Sequence, residues 1–219
     1  MTPVRGRRIL VTGGTGFIGS ALVRSLVARG AEVRCFDNHS RGLKTKLGDA
    51  LRHVELVTGD VRDAAAVAAA TRGIDMVCHL AYVNGTEFFY ERPDEVLEVA
   101  VKGMVNVLDG CIANGVRDFV LASSSEVYQA PRLIPTPEDV PLIVPDLFNP
   151  RYSYGGGKII SELLTIHMGR KHFDRAVIFR PHNVYGPEMG NEHVIPQFAL
   201  RMRRLVETVP HGTLRFDIQ

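Results

Sequence analysis

Tyr154 and Lys158 stand four positions apart in the run Tyr154-Gly155-Gly156-Gly157-Lys158. On a helix that spacing places both side chains on one face. An ammonium held beside a phenol favours the phenolate and lowers a pKa that starts near about 10. A phenolate available near neutral pH is a base that can take the proton of an alcohol. Upstream lies a second group, Ser123-Ser124-Ser125-Glu126. A serine hydroxyl there can hydrogen-bond the same substrate oxygen that Tyr154 deprotonates, and Glu126 adds a second titratable group. The competing reading is a serine-rich turn that caps a helix, with Glu126 as a capping carboxylate. No G-x-S-x-G surrounds the serines, so a hydrolase nucleophile is not indicated.

Further upstream, Thr12-Gly13-Gly14-Thr15-Gly16-Phe17-Ile18-Gly19 fits G-x-x-G-x-x-G through Gly13, Gly16 and Gly19. It also fits G-x-G-x-x-G through Gly14, Gly16 and Gly19. An apolar run precedes it and an amphipathic stretch follows. In that context glycines allow a tight turn and close approach of the backbone to a pyrophosphate, while the helix N-terminus supplies amide donors. Asp37 follows about 20 residues on, where a carboxylate accepts from a ribose 2′-hydroxyl and repels a 2′-phosphate. NAD is therefore expected over NADP, with Arg34 and Arg41 close by in sequence as the opposing signal. Asp60-Val61 fall where an adenine edge would come; a plain surface-loop Asp is the alternative. Gly155-Gly156-Gly157-Lys158 is not a nucleoside triphosphate loop, because Ile159 stands where Ser or Thr would bind Mg²⁺.

Short apolar runs alternate with longer amphipathic ones, which predicts repeated βα units and an α/β, doubly wound parallel sheet of the Rossmann type. Strands are expected at Ile9–Val11, Glu32–Phe36, Val54–Val57, Met76–Leu80, Asp118–Ala122 and Val177–Phe179. Helices are expected at about Phe17–Ala28, Ala64–Ala70, Asp94–Ala113 and Ser153–His172. Six prolines between Ala130 and Pro150 indicate a structured loop over a cleft. Leu214–Gln219 reads as a strand with nothing after it. Ligands belong beyond the carboxyl ends of the strands. The expected division is 1–180, a NAD-binding domain with the catalytic helix, and 181–219, the start of an incomplete substrate lobe.

The 219 residues suffice for one full core, and a net charge of +2 gives no reason to expect nucleic acid or a membrane as partner. Arg5, Arg7 and Arg8 read as a solvated face, as do Arg201, Arg203 and Arg204, which could also help hold a diphosphate. Cys35, Cys78 and Cys111 are widely spaced and odd in number, which fits a reducing cytoplasm and not a disulfide framework. Histidine spacing supports no metal site. The apolar run near the N-terminus is too short for a signal peptide or a membrane span.

Taken in order, Gly13 to Gly19, Gly59-Asp60-Val61, His79-Leu80-Ala81, Ser123 to Tyr128, Tyr154 to Lys158 and Arg180-Pro181-His182-Asn183-Val184-Tyr185-Gly186-Pro187 resemble the extended short-chain dehydrogenases/reductases. Within them, the resemblance is to the NAD-dependent nucleotide-sugar epimerases and dehydratases. It implies that Tyr154 is the base and that Lys158 is its pKa partner and a donor to the nicotinamide ribose. Ser124 would position the sugar 4-hydroxyl, and Ser125 and Glu126 match a pair some members use after the first oxidation. The implied cofactor contacts include Gly13, Gly16, Phe17, Ile18, Gly19, Asp37 and Asn38, then Asp60, Val61, Leu80, Ala81 and Tyr82, and finally Ser123 and Pro181. Asn183 would hold the substrate diphosphate, with Arg180 beside it; His79 and His182 would pack. Two departures stand out. Members continue further past this point, and Gln129 replaces the glycine common after Val127-Tyr128.

The resemblance and the local chemistry imply oxidation of a nucleotide-linked hexose at C4 by bound NAD, giving a 4-keto sugar. Return of hydride to the other face is 4-epimerisation and needs no further acid or base. Loss of the C5 proton and C6 hydroxyl is 4,6-dehydration, and a uronate would lose CO₂; Glu126 could serve either. Epimerisation leads, because Ser125 and not an acid neighbours Glu126. An NAD-binding fragment or regulatory protein without sugar turnover, and an oxidoreductase of small alcohols, stay open as other classes. The helices Asp94–Ala113 and Ser153–His172 imply, by the same resemblance, a homodimer through a four-helix interface.

Overall fold

A computed structural model describes residues 4–191 and 193–208. Two compact units divide between His182 and Asn183. In the first, β1 (Arg8–Thr12), α1 (Phe17–Ala28), β2 (Glu32–Asp37) and β3 (Val54–Thr58) are followed by α2 (Ala64–Ala70) and β4 (Met76–His79). Next come α3 (Thr86–Glu91), α4 (Pro93–Glu98), α5 (Met104–Ala113), β5 (Asp118–Ala122), α6 (Ser153–His172) and β6 (Arg175–Phe179). The second unit contains α7 (Val194–Thr208).

The six strands form one sheet in the order β3-β2-β1-β4-β5-β6, every neighbouring pair parallel. The order in which strands are added reverses between β1 and β4, so a crevice opens at their carboxyl ends. Period-two alternation divides the core. Ile9 and Val11 pack with Val23 and Leu26 of α1 on one face. Leu10, Val77, Phe119 and Leu121 pack with Val107 and Leu108 of α5 on the other. Strands buried on both faces need the continuous apolar runs seen in the sequence.

The doubly wound α/β sheet stands as expected, with three differences. The helix expected over Asp94–Ala113 runs as α4, a π turn at Val99–Gly103, and α5. A Cβ on Gly103 would come 2.7 Å from Val61, so this glycine lets the helix approach the loop after β3. Residues 44–53 form 3-10 turns and residues 86–91 a helix, neither foreseen. The terminal strand expected at Leu214–Gln219 lies outside the described residues.

Candidate active site

At the end of β1, Gly13 turns with φ 69°, and its N–H donates to the Phe36 carbonyl at 2.9 Å. A Cβ there would lie 2.8 Å from the Ala81 nitrogen, so a side chain would wedge the β1 and β4 ends apart. A Cβ on Gly19 would collide with the Gly13 carbonyl. Among the described residues no side chain caps α1 at Gly16. The amides of Phe17 and Ile18, which no helical carbonyl can reach, are thus presented to a ligand.

Thr12 Oγ1 accepts from the Leu80 and Ala81 amides at 3.1 and 3.2 Å and lies 2.7 Å from His79 Nδ1. With its lone pairs so engaged, the hydroxyl donates to Nδ1, which leaves the imidazole proton on Nε2. Burial, and then the Lys158 charge, push the His79 pKa down to about 3. His79 therefore fastens Leu80 and Ala81 in place as a neutral packing group.

Asp37 is 7% exposed and accepts from the amides of Thr15 at 3.0 Å and His39 at 2.8 Å. A carboxylate accepts about four hydrogen bonds. Capacity therefore remains for a ligand's hydroxyls. Asn38 donates to Asp60 at 3.0 Å, so these two expected cofactor residues meet. Asp60 is also gripped by Arg62, whose hydrogen bond is the main cause that holds the carboxyl down at about 2. The uncapped glycine loop and the partly free Asp37 suit a dinucleotide.

Tyr154, 8% exposed, packs against Tyr82 and Phe89 with ring centroids 5.1 Å away in each case. Ser124 neighbours its hydroxyl. Ser124 also accepts from the Glu126 amide at 3.2 Å and so caps the single 3-10 turn Ser125–Val127. The capping reading of the serine run therefore holds for Ser124, which also neighbours Tyr154. The Ser125 amide donates to the Pro181 carbonyl at 3.1 Å. Glu126 is no capping carboxylate; it meets Arg151 at 3.4 Å. The two line a cavity of about 300 Å³ with Ser125, Tyr128, Gln129, Pro131, Thr136 and His182.

One electrostatic expectation is corrected. Lys158 does not lower the Tyr154 pKa: burial raises it, opposed by the Ser124 hydrogen bond and assisted by the Glu126 charge. The Lys158 ammonium instead donates to the Ala122 carbonyl at 2.7 Å and sits 3.6 Å from the Tyr82 ring centroid, against 5.7 Å for Tyr154. Burial lowers the lysine itself to about 7, with Glu162 opposing. Same-face spacing brought the pair together, but a carbonyl and an aromatic face compete for the charge.

Arg180, expected beside the substrate, is engaged within the chain. Its guanidinium is bound to Glu162 at 2.9 and 2.7 Å, to the Tyr128 hydroxyl at 2.7 Å and to the Glu138 carbonyl at 3.1 Å. Asn183 opens the second unit with φ 29°. Sequence reasoning missed Glu162, although it continues the four-residue spacing from Tyr154 and Lys158. It also missed Arg151, which gave no signal within the proline-rich stretch. Gln129 has φ 52°, which explains the glycine common at this position, and its amide donates to the Glu126 carbonyl. Among the described residues no group of His, Cys, Asp or Glu is placed to hold a metal. Arg203 of the second basic cluster pairs with Glu207 at 2.9 Å.

A parallel sheet with a switch point between β1 and β4, a glycine loop and a Tyr/Ser/Lys cluster at its carboxyl edge define a dinucleotide-dependent enzyme fold. The family model for the NAD dependent epimerase/dehydratase family matches residues 9–217, and the chain belongs to that family. It is 38% identical over 213 residues to dTDP-4-dehydro-6-deoxy-D-allose reductase of Streptomyces bikiniensis, covering 90% of this chain and 63% of the relative. It is 34% identical to UDP-glucuronic acid decarboxylase 5 of Arabidopsis thaliana, covering 84% and 52%. A crystal structure of UDP-galactose 4-epimerase superposes with a TM-score of 0.78 at 35% identity, covering 90% of this chain and 63% of that one. The chain thus spans between about half and two thirds of the length of these relatives.

Proposed function

We propose that the chain carries the NAD-binding and catalytic part of a nucleotide-sugar epimerase/dehydratase that works through a 4-keto sugar. The observation behind this reading is the gathering of the buried Tyr154, Ser124 and Lys158 side chains at the sheet edge that also presents the glycine loop. NAD, when bound, supplies the acceptor for the hydrogen that leaves C4. The Phe17 and Ile18 amides beside Gly13, Gly16 and Gly19 hold its pyrophosphate, and Asp37 takes ribose hydroxyls. Asn38, Asp60 and Val61 border the adenine. Leu80, Ala81, Tyr82, Ser123 and Pro181 flank the remainder. Ser124 holds the sugar 4-oxygen and Tyr154 exchanges its proton. Lys158 supplies positive charge close by, and Asn183 holds the substrate diphosphate.

Four-epimerisation is the leading outcome. A second reading, reduction of a 4-keto sugar, is favoured by the raised Tyr154 pKa, since a phenol kept protonated is ready to donate to a carbonyl. Dehydration or decarboxylation would recruit Glu126, which contacts Arg151 in the lining of a cavity. The experiment is incubation with NAD⁺ and a panel of UDP-, GDP-, dTDP- and CDP-hexoses and UDP-glucuronate, read by mass spectrometry and proton NMR. Unchanged mass with inverted C4 identifies an epimerase; loss of water or CO₂ assigns Glu126 a step. Consumption of a 4-keto sugar with NADH identifies a reductase. NAD binding without product from any sugar would refute the reading.

Homodimerisation belongs to the same proposal. The buried face of α6 is largely polar, through Lys158, Ser161, Glu162 and Thr165, whereas Ile160 and Leu163 are exposed, as is Leu97 of α4. Those apolar groups suit a second copy, and a monomeric mass at micromolar concentration would count against it. A reducing cytoplasm accords with three free, buried cysteines; no helix among the described residues is long and apolar enough to cross a membrane.

A further inference from the structure

Three side chains of α6, spaced four apart, close on three consecutive residues at the end of β5. Tyr154 neighbours Ser124, Lys158 bonds the Ala122 carbonyl, and Glu162 accepts from the Ser123 hydroxyl. The third contact has no part in the alcohol chemistry. Glu162 is 3% exposed, and its two oxygens also take the paired donors of Arg180, which stands just after β6. The Ser123 amide donates to the Phe179 carbonyl at 2.9 Å. The ends of β5 and β6 therefore meet α6 at one buried carboxylate.

A lone carboxylate would be costly at such a site. Its bidentate arginine and serine partners make it tolerable, and the arginine is braced in turn by Tyr128 and Glu138. We propose that Glu162 and Arg180 are positioning residues for the Tyr154–Lys158 pair: through Ser123 they hold the Ala122–Ser124 segment against α6, and the Glu162 charge faces Lys158 one helical turn away. The inference rests on the proposed chemistry only for what the pair does. Burial alone would strip Lys158 of its proton, and Glu162 is the charge that opposes this. The other titratable groups facing the ammonium are Tyr82, Tyr154 and the neutral His79, none of which supplies a negative charge while protonated.

The test is an NMR titration of the full chain labelled with ¹³C at lysine Cε, the Lys158 signal assigned by its loss in Lys158→Met. Glu162→Gln is expected to lower the Lys158 midpoint by on the order of one pH unit. Arg180→Met, which breaks the same ion pair but leaves the carboxylate, is expected to raise it. General loosening would admit water and raise both. A rise in both variants, or no movement in Glu162→Gln, would therefore overturn the proposal. Should Glu162→Gln fail to fold, the double variant Glu162→Gln/Arg180→Met must titrate below Arg180→Met, and equality overturns it. With an accepted sugar, Glu162→Gln should lose kcat at neutral pH with KM little changed. The titration needs neither cofactor nor sugar, so failure to find turnover would refute the proposed activity without touching this result.

Discussion

Asp37 and Asp118 are almost equally buried, 7% and 8% exposed, yet they occupy opposite edges of the sheet and are treated differently. Asp118, at the amino edge, is paired with Arg7 at 2.6 Å and Arg175 at 3.2 Å. Around it Asp75 takes the Arg8 amide at 2.8 Å, and Arg117 bonds Asp174 at 2.6 Å. Asp37, at the carboxyl edge, is held by two backbone amides. The amino edge joins strand starts through charges that satisfy one another. At the carboxyl edge, Asp37 and Ser124 are bonded locally and keep capacity for something else. Equal burial thus conceals two arrangements, bracing at one edge and, on the proposed function, binding at the other.

The largest expected effects separate the two edges. Tyr154→Phe should lower turnover by about 10²- to 10⁴-fold while NAD binding persists. Asp118→Ala should cost about 1.5–3 kcal/mol of stability, because it takes a charged partner from the part-buried Arg7 and the exposed Arg175, while NAD affinity per folded molecule is unchanged. Denaturant unfolding and calorimetric titration would show this, and a loss of affinity in Asp118→Ala would break the contrast. Asp37→Asn should behave conversely: affinity for NAD falls about 10- to 100-fold, as expected for a charged hydrogen bond worth about 1.5–3 kcal/mol, with little change in stability.

Acid should attack the carboxyl edge through His79. The folded protein holds this imidazole down at about 3, while the unfolded chain takes up a proton near about 6.5. The unfolded state therefore binds more protons in that window, and stability drops as pH falls from about 6.5 toward 3, by up to about 1.4 kcal/mol per pH unit. Lys158, lowered to about 7 from 10.5, works in the same direction higher up: stability falls as pH drops from about 10.5 to 7. Melting curves across pH should show His79→Asn flattening the acid window alone; an unaltered slope would mean that His79 is not the group responsible.

Smaller effects test the glycine run in α6. A Cβ on Gly157 would lie 2.6 Å from Ala100 and collide with the Tyr82 hydroxyl, whereas one on Gly156 meets only Val144 at 3.4 Å. Gly157→Ala should destabilise by about 1–3 kcal/mol. Gly156→Ala should stabilise by about 0.5–1 kcal/mol through helix propensity. Similar melting shifts in both variants would contradict this placement of Tyr82.

The fold was legible because its strands are apolar runs and its loop glycines obey local steric rules. Gly13 and Gly19 could be assigned by spacing, since their constraint comes from the turn itself. The Tyr154–Lys158 proximity followed from helix geometry for the same reason. Its electrostatics did not, because the Ala122 carbonyl and the Tyr82 ring that draw the ammonium come from β5 and from the loop after β4, both distant in sequence. The Arg180–Glu162 pair was hidden likewise: the two are 18 residues apart, and only the packing of β6 on α6 brings them together. The π turn near Gly103 answers to the loop at Val61, which no helical period announces.

The most direct measurement is rapid mixing of the NAD⁺-loaded protein with an accepted nucleotide hexose while the absorbance of reduced nicotinamide is followed. The account predicts that reduced cofactor forms in the unaltered protein and is absent from Tyr154→Phe at equal NAD occupancy. Equal formation in both, or product formed with no reduced cofactor on any timescale, would contradict oxidation at C4 by the Tyr154 site.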